Sequence, residues 1–208
     1  MPKRITTRLQ AAQNRGFFFL GNALALDFLN TRPVIEGKSV EMLPDFAALL
    51  RWFRAARLLT PRETQDLERR ADSNRAREVL HTVLGFRERL REAIIAWERG
   101  NALRNSIIDE LNNLMAAYPM RTRLQAGFSR FSKELWFDPR QPEDLLAPLA
   151  YSAATLFAEA DRNRVRQCAQ CVLHFHDTSK KGTRRWCSMQ LCGNRSKVAA
   201  YAARQRRR

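Results

Sequence analysis

The residues of this chain best suited to chemistry are its four cysteines, all placed near the C-terminus as Cys168-x2-Cys171-x15-Cys187-x4-Cys192. Thiolates are soft ligands, and two short chelating turns that each offer two sulfurs build the closed tetrahedron that Zn²⁺ accepts. The stretch between the pairs is long enough to fold one pair onto the other. The x4 spacing of the second pair is wider than the commonest x2, so the match to a generic zinc ribbon is good but imperfect. The competing reading, two disulfides or four buried thiols, turns on compartment. A basic start, an apolar run over residues 16–26 and the triplet Ala23-Leu24-Ala25 imitate a secretory leader. Against a leader, Asn22 interrupts the run, the basic region is long, and Asp27-Phe28-Leu29-Asn30 continues the pattern as an amphipathic helix. The run is also far short of a membrane span. The expectation is a cytoplasmic protein with no membrane partner and one structural zinc held by Cys168, Cys171, Cys187 and Cys192.

The segment that carries the cysteines is strongly basic. From Asp161 to Arg208 there are 13 Lys and Arg against 2 Asp, a net of +11 out of the chain's +16, and the preceding residues carry only +5. That asymmetry describes a nearly ordinary globular domain joined to a small basic metal module. Nucleic acid is the first partner such a module suggests, because neutralising phosphates releases counterions. A solvated basic tail is the bland alternative.

The elements that would position these groups follow from the pattern. Val172 to His176 alternates as a strand, Thr178-Ser179-Lys180-Lys181-Gly182 has turn chemistry, and Arg184-Arg185-Trp186 returns toward Cys187. The spacer therefore reads as a hairpin with Lys180, Lys181, Arg184 and Arg185 at or just past its tip. Trp186 is expected to pack over the site and shield it. Gly193 allows a tight turn around a thiolate, and Asn194 is expected to cap a basic helix carrying Arg195, Lys197, Arg204 and Arg206. Such a helix suits a duplex major groove, with the hairpin cations on phosphates and the terminal arginines as a phosphate-binding tail. His174 and His176 share a strand face, but four cysteines already close the shell, so they are expected at the surface or in packing.

Upstream, the chain reads as mainly helical. Its 208 residues, 45% of them apolar, can bury a core without disulfide staples. Residues 1–15 are expected to fray, and Asn22 to cap a helix that ends before Pro33. Asp45 opens a helix with Phe46, Leu49, Leu50 and Phe53 on one face. Thr60-Pro61-Arg62-Glu63 is a helix start combining a cap, proline at the first position and a glutamate that reaches back. Helix follows from Glu63 to Trp97, broken near Asp72-Ser73-Asn74, with Leu80, Leu84, Leu90, Ile94 and Ile95 as its buried face. Another helix runs from Ala102 to Ala117, and Met120 to Phe137 forms a short antiparallel hairpin. A last helix spans Glu143 to Ala160 with Pro148 as a kink. The expected fold class is mainly α with a small antiparallel β element (α+β). It comprises a domain over 1–160 and a treble-clef-like or ribbon-like zinc module over 161–208.

Cys168-x2-Cys171, the Asp177-Thr178-Ser179 turn, Arg184-Arg185-Trp186-Cys187-Ser188-Met189 and Cys192-Gly193-Asn194-Arg195 together resemble the CGNR zinc finger. Gly21-Asn22-x3-Leu26-Asp27-Phe28-Leu29-Asn30-Thr31 resembles the opening of the ABATE domain that precedes this finger. The resemblance implies a bacterial, stress-induced transcription regulator whose finger binds DNA, and it assigns the four cysteines to zinc one for one. It also implies a sensing role for the N-terminal domain. The residues to inspect for a small-molecule effector are then Asp27, Asn30, Thr31 and Arg32, although capping and core hydrogen bonds also account for them.

Three functions compete. The first is a DNA-binding transcriptional regulator with an N-terminal domain for sensing or dimerisation, acting as a homodimer on a symmetric or repeated site. The second uses the same cations on RNA. It is disfavoured because the finger offers few stacking rings: Phe175, Trp186 and Tyr201. The third is a zinc-scaffolded adaptor for an acidic protein. An enzyme is least supported, because four cysteines leave zinc no open position and the chain has no phosphate loop, nucleophile elbow or paired-carboxylate motif.

Overall fold

The computed structural model describes residues 13–14, 16–35, 37–127, 130–171, 173–194, 198 and 205. In chain order it begins with β1 (Gln13–Asn14), β2 (Phe17–Phe18), α1 (Leu24–Leu29), β3 (Val34–Ile35) and β4 (Lys38–Ser39). Then come α2 (Phe46–Ala55), α3 (Pro61–Arg70), α4 (Ser73–Glu98) and α5 (Asn105–Ala117), followed by β5 (Arg121–Ala126) and β6 (Phe131–Trp136). A 3₁₀ turn (Pro142–Leu145) leads into α6 (Leu146–Glu159), and a second (Arg162–Arg164) into β7 (Val165–Gln167) and β8 (His174–His176). A π-helical turn, Met189–Gly193, follows. The fold is mainly α with four two-stranded antiparallel sheets among the described residues. Two compact units result. One joins residues 1–43 to 160–208, and the other is Pro44–Glu159.

The helical unit forms where local signals are strong. Asp45 caps α2 by accepting from Ala48 N at 2.6 Å, and α2 buries Leu49, Leu50, Trp52 and Phe53. Thr60 and Glu63 form the expected capping box with Pro61 at the first position of α3. The break near residue 72 is real: Asp72 ends the connection from α3 and caps α4 through Asn74 N and Arg75 N. The buried stripe of α4 runs Val79, Val83, Phe86, Leu90 and Ile94. Leu90 and Ile94 were anticipated, whereas Leu80, Leu84 and Ile95 are only half-buried. The stripe begins one residue earlier than its leucines suggest, because the β-branched Val79 and Val83 face the core.

Arg75 holds Glu143 with two hydrogen bonds, at 2.8 and 2.7 Å, and this pair joins α4 to the first 3₁₀ turn. Trp97 meets Phe157 edge-on at 5.2 Å, joining α4 to α6. Pro148 was expected inside the last helix. The α-helix starts only at Leu146, so the proline falls in its first turn, where a missing N–H breaks no bond.

The other unit departs further from expectation. Gln13 and Asn14 pair with Phe18 and Phe17, so at least these two residues of the stretch expected to fray are ordered in a sheet. Asn22 is not the cap of α1. Ala23 occupies that position, and Asn22 adopts φ 58, a left-handed conformation that Asn tolerates better than most residues. The strand expected over Val172–His176 shortens to His174–His176, with Val172 outside the described residues. Its partner is β7, in the register Val165↔His176, Arg166↔Phe175 and Gln167↔His174, and not the return through Arg184–Trp186. The hairpin of the module therefore lies around the first cysteine pair instead of between the pairs.

Candidate metal centre

The β7–β8 hairpin places Cys168 and Cys171 in its connecting turn, which Cys168 N closes on Leu173 O at 2.8 Å. Backbone hydrogen bonds also run from Leu173 to Cys171 and from Cys187 to Cys168. The second pair sits across a π-helical turn in which Cys192 N and Gly193 N both donate to Ser188 O, at 2.9 and 3.1 Å. This wider turn accommodates the x4 spacing. Met189 Sδ lies over Gly193, 2.5 Å from where a Cβ would stand, so a larger residue there would move the exposed Met189 side chain aside. Asn194 has helical backbone itself, so the helical turn begins before the expected cap.

The four sulfurs are buried and lie within 4.8 Å of one another. Cys171 and Cys187 are separated by 3.5 Å, and Cys187 and Cys192 by 3.8 Å. A tetrahedron with Zn–S bonds of about 2.3 Å requires sulfurs about 3.8 Å apart, so the cluster fits zinc and is too open for disulfides. Without a cation the sulfurs must share protons. Hydrogen bonds from Cys171, Cys187 and Cys192 pull the Cys168 thiol far below its ordinary range, and those to Cys168 push Cys171 and Cys187 far above theirs. A divalent cation would let all four act as thiolates.

The shell around the sulfurs comes from both ends of the chain. Phe18, Leu173 and Phe175 are buried with the cysteines, and Leu20, Met42 and Trp186 pack against them. Trp186 thus takes the shielding position expected of it. Asn30, the residue after α1, grips β8: its Nδ2 donates to His174 O at 2.9 Å and its Oδ1 accepts from His174 N at 2.8 Å. Asn22 Nδ2 donates to His176 O at 2.8 Å, and His176 N donates to Gly21 O at 2.7 Å. The N-terminal motif therefore clasps the outer edge of the zinc hairpin. His174 belongs to the core, with a relative exposure of 1%.

The residues offered for an effector are engaged in this clasp or beside it. Asp27 is buried and accepts from Gly21 N at 2.7 Å. Burial pushes its carboxyl up to about 7, against the pull of backbone hydrogen bonds from Gly21 and Leu20. Gly21 must be glycine, since a Cβ would lie 2.7 Å from Leu26 Cβ and 2.9 Å from Asp27 Oδ1. Thr31 Oγ1 donates to Phe28 O at 2.6 Å, and the exposed Arg32 donates from Nε to Ser39 Oγ at 3.1 Å.

Of the cations, Lys180, Lys181 and Arg185 are exposed on the loop between the cysteine pairs. Arg185 also lies over the Trp186 ring, 5.8 Å from its centroid. Arg184 is half-buried. It donates from Nη2 to Cys187 O and sits over Phe175, so part of its role is internal. Arg195, Lys197, Arg204 and Arg206 lie outside the described residues. Asn194, Val198 and Gln205, the described positions of that stretch, are helical.

Three side chains hold the loop, and sequence reasoning singled out only Asp177 among them, as part of a turn. Arg166 donates to Arg184 O and Gly182 O, both at 2.9 Å, and Arg164 to Ser179 O at 2.8 Å. Asp177 accepts from Ser179 N at 3.0 Å and Arg184 N at 2.8 Å. Burial alone would raise the Asp177 carboxyl, but the hydrogen bonds from Ser179 and Arg184 hold it down at about 2. The only sequence signal for these roles was the Asp177-Thr178-Ser179 turn. The arginines looked like ordinary surface charge.

The geometry agrees with what comparison finds. Residues 22–160 match the ABATE model, described as "Putative stress-induced transcription regulator". The chain belongs to the ABATE family. Residues 164–205 match the CGNR zinc finger. No curated protein sequence matches the chain closely enough to count as a relative. This ABATE protein is a zinc-binding member of a regulator family, and its single zinc is structural, because four sulfurs leave no open coordination position. Both matches are regulatory and zinc-finger types, not enzyme families. No described helix is long and apolar enough to cross a membrane.

Proposed function

We propose that this ABATE protein is a transcription regulator that binds double-stranded DNA through its zinc module, with the N-terminal domain serving sensing or dimerisation. The supporting observation is the loop between the cysteine pairs. Lys180, Lys181 and Arg185 stand exposed on it, and Lys180 and Lys181 have no ion-pair partner among the described residues. The backbone beneath them is held by Asp177, Arg164, Arg166 and the sulfur cluster. Cations on an ordered loop meet phosphates without first losing conformational entropy, and so set register for whatever reads the bases. In the sequence the basic C-terminal stretch follows this loop and the second cysteine pair.

Fluorescence anisotropy on a duplex, measured across a salt series, tests this reading. Replacing Lys180, Lys181 and Arg185 together by Ala should weaken binding and reduce the slope of log K against log[salt] by roughly 2 to 3, about 0.9 for each lost phosphate contact. An unchanged slope would remove the loop from the interface. Tighter binding to a single-stranded RNA of equal length would move RNA ahead of DNA.

A further inference from the structure

We infer that the helical unit binds a small aromatic carboxylate in the cleft where α5 runs into the β5–β6 hairpin. Asp27, Asn30 and Thr31 are tied up in or beside the clasp, so a sensed ligand needs another place. A cleft of about 340 Å³ lies within the Pro44–Glu159 unit. Tyr118, which ends α5, and Phe137, which follows β6, line it together with the buried Ala147 of α6. Arg121, the first residue of β5, and Arg140 line it as well. The volume falls at the lower end of small-molecule sites, which combine apolar and aromatic walls with a few polar groups.

The wall is held before any ligand arrives. Asp144 Oδ2 accepts from Arg140 N at 2.6 Å and from Gln141 N at 3.0 Å. Arg140 O accepts from Nη1 of Arg70, the last residue of α3. Tyr118 N donates to Leu114 O at 2.9 Å, and the register Arg121↔Trp136 sets the start of β5 beside the residues that follow β6. Groups fixed in this way lose little freedom when a ligand binds.

Two carboxylates and two guanidiniums line the cleft, and their partners decide what it accepts. Asp138 Oδ2 accepts from Arg140 Nη2 at 2.6 Å. Asp144 is engaged with the two backbone donors and with Gln141 Nε2 at 3.4 Å. The exposed Arg121 guanidinium has no hydrogen bond or ion pair among the described residues, and the Tyr118 hydroxyl has no hydrogen bond there either. The groups left to meet a ligand are therefore donors. A carboxylate fits them, because it accepts two parallel hydrogen bonds from one guanidinium and another from a hydroxyl. The aromatic body follows from Tyr118 and Phe137, which offer ring surface to a flat apolar group. An inorganic anion would leave that surface uncovered.

As the site of sensing, the cleft rests on the regulator proposed above, but its test uses no DNA, so the two can fail separately. Isothermal titration of the full, zinc-loaded chain with benzoate should give a dissociation constant below about 1 mM, and the isosteric but neutral benzamide should bind at least about tenfold more weakly. Arg121→Ala should weaken benzoate binding by about tenfold or more and leave the far-UV spectrum unchanged, since the guanidinium holds nothing else in place. Arg121→Lys should recover only part of the loss, because an ammonium lacks the planar fork. Lys133→Ala removes an exposed cation of β6 outside the cleft and should leave binding unchanged, which separates a site from general attraction to a basic chain. No benzoate binding below about 10 mM, equal binding of benzamide, or equal effects of Arg121→Ala and Lys133→Ala would overturn the inference.

Discussion

Asn30→Ala should loosen the zinc module although residue 30 lies far from the cysteines in sequence. Asn30 is 1% exposed, and its amide makes two hydrogen bonds to the backbone of His174, at 2.8 and 2.9 Å. Alanine removes both. Each such bond contributes about 1 kcal/mol net, and the stranded His174 N–H and C=O each add part of a desolvation cost of about 1–3 kcal/mol. The expected loss is about 3 kcal/mol. For a unit of this size that lowers the thermal midpoint by more than about 10 °C. Zinc escape that requires the clasp to open should then accelerate by about 100-fold, since about 1.4 kcal/mol corresponds to a factor of ten. The assay is chelator-trapped zinc release from the full chain, followed by absorbance. Asn30→Asp keeps the acceptor for His174 N–H but loses the donor and buries a charge, so it should release zinc at least as fast as the alanine variant. An alanine variant within about 0.5 kcal/mol of wild type, with unchanged release, would refute the clasp.

Three other expectations follow from the same geometry. Asp27 has a folded pKa of about 7, above its unfolded value, so the folded state holds the extra proton and stability should fall as pH rises from about 4 through about 7. Asp27→Asn retains an acceptor for Gly21 N and should flatten the pH dependence of urea unfolding between about pH 4 and pH 7; an unchanged slope would count against the buried carboxyl. Asp177 has the opposite sign: with its folded pKa near 2, its contribution is present above about 4 and lost as pH falls through about 2. Asp177→Ala should cost about 2 kcal/mol at neutral pH and reduce duplex affinity by freeing the loop, measured by chemical unfolding and anisotropy. Zinc removal by a chelator should abolish the near-UV signal of Trp186 and leave most far-UV helical signal, because α2 to α6 lie in the other unit. Loss of all helical signal would contradict that.

What the sequence made legible was local. The caps at Asp45 and Thr60 depend on residues a few positions apart, and each side chain forms the bond its spacing implies. The cysteine spacing likewise placed four sulfurs together, since two chelating turns need only one fold-back. Long-range pairing was not legible. Val165–Gln167 and Arg184–Trp186 were both available as partners for the His174 strand, and alternation could not choose between them. Asn22 and Asn30 looked like helix-end residues, while their amides reach 154 and 144 positions along the chain. Arg164 and Arg166 resembled solvated charge because nothing local shows that backbone carbonyls of the loop would fold over them.

The central claim is that this zinc module reads DNA sequence. Selection from a random duplex pool by the zinc-loaded chain at near-physiological salt tests it most directly. One enriched motif, lost with Cys187→Ser, is the predicted result. Retention of duplexes with no enriched motif would contradict the claim and reduce the module to a general binder of phosphate.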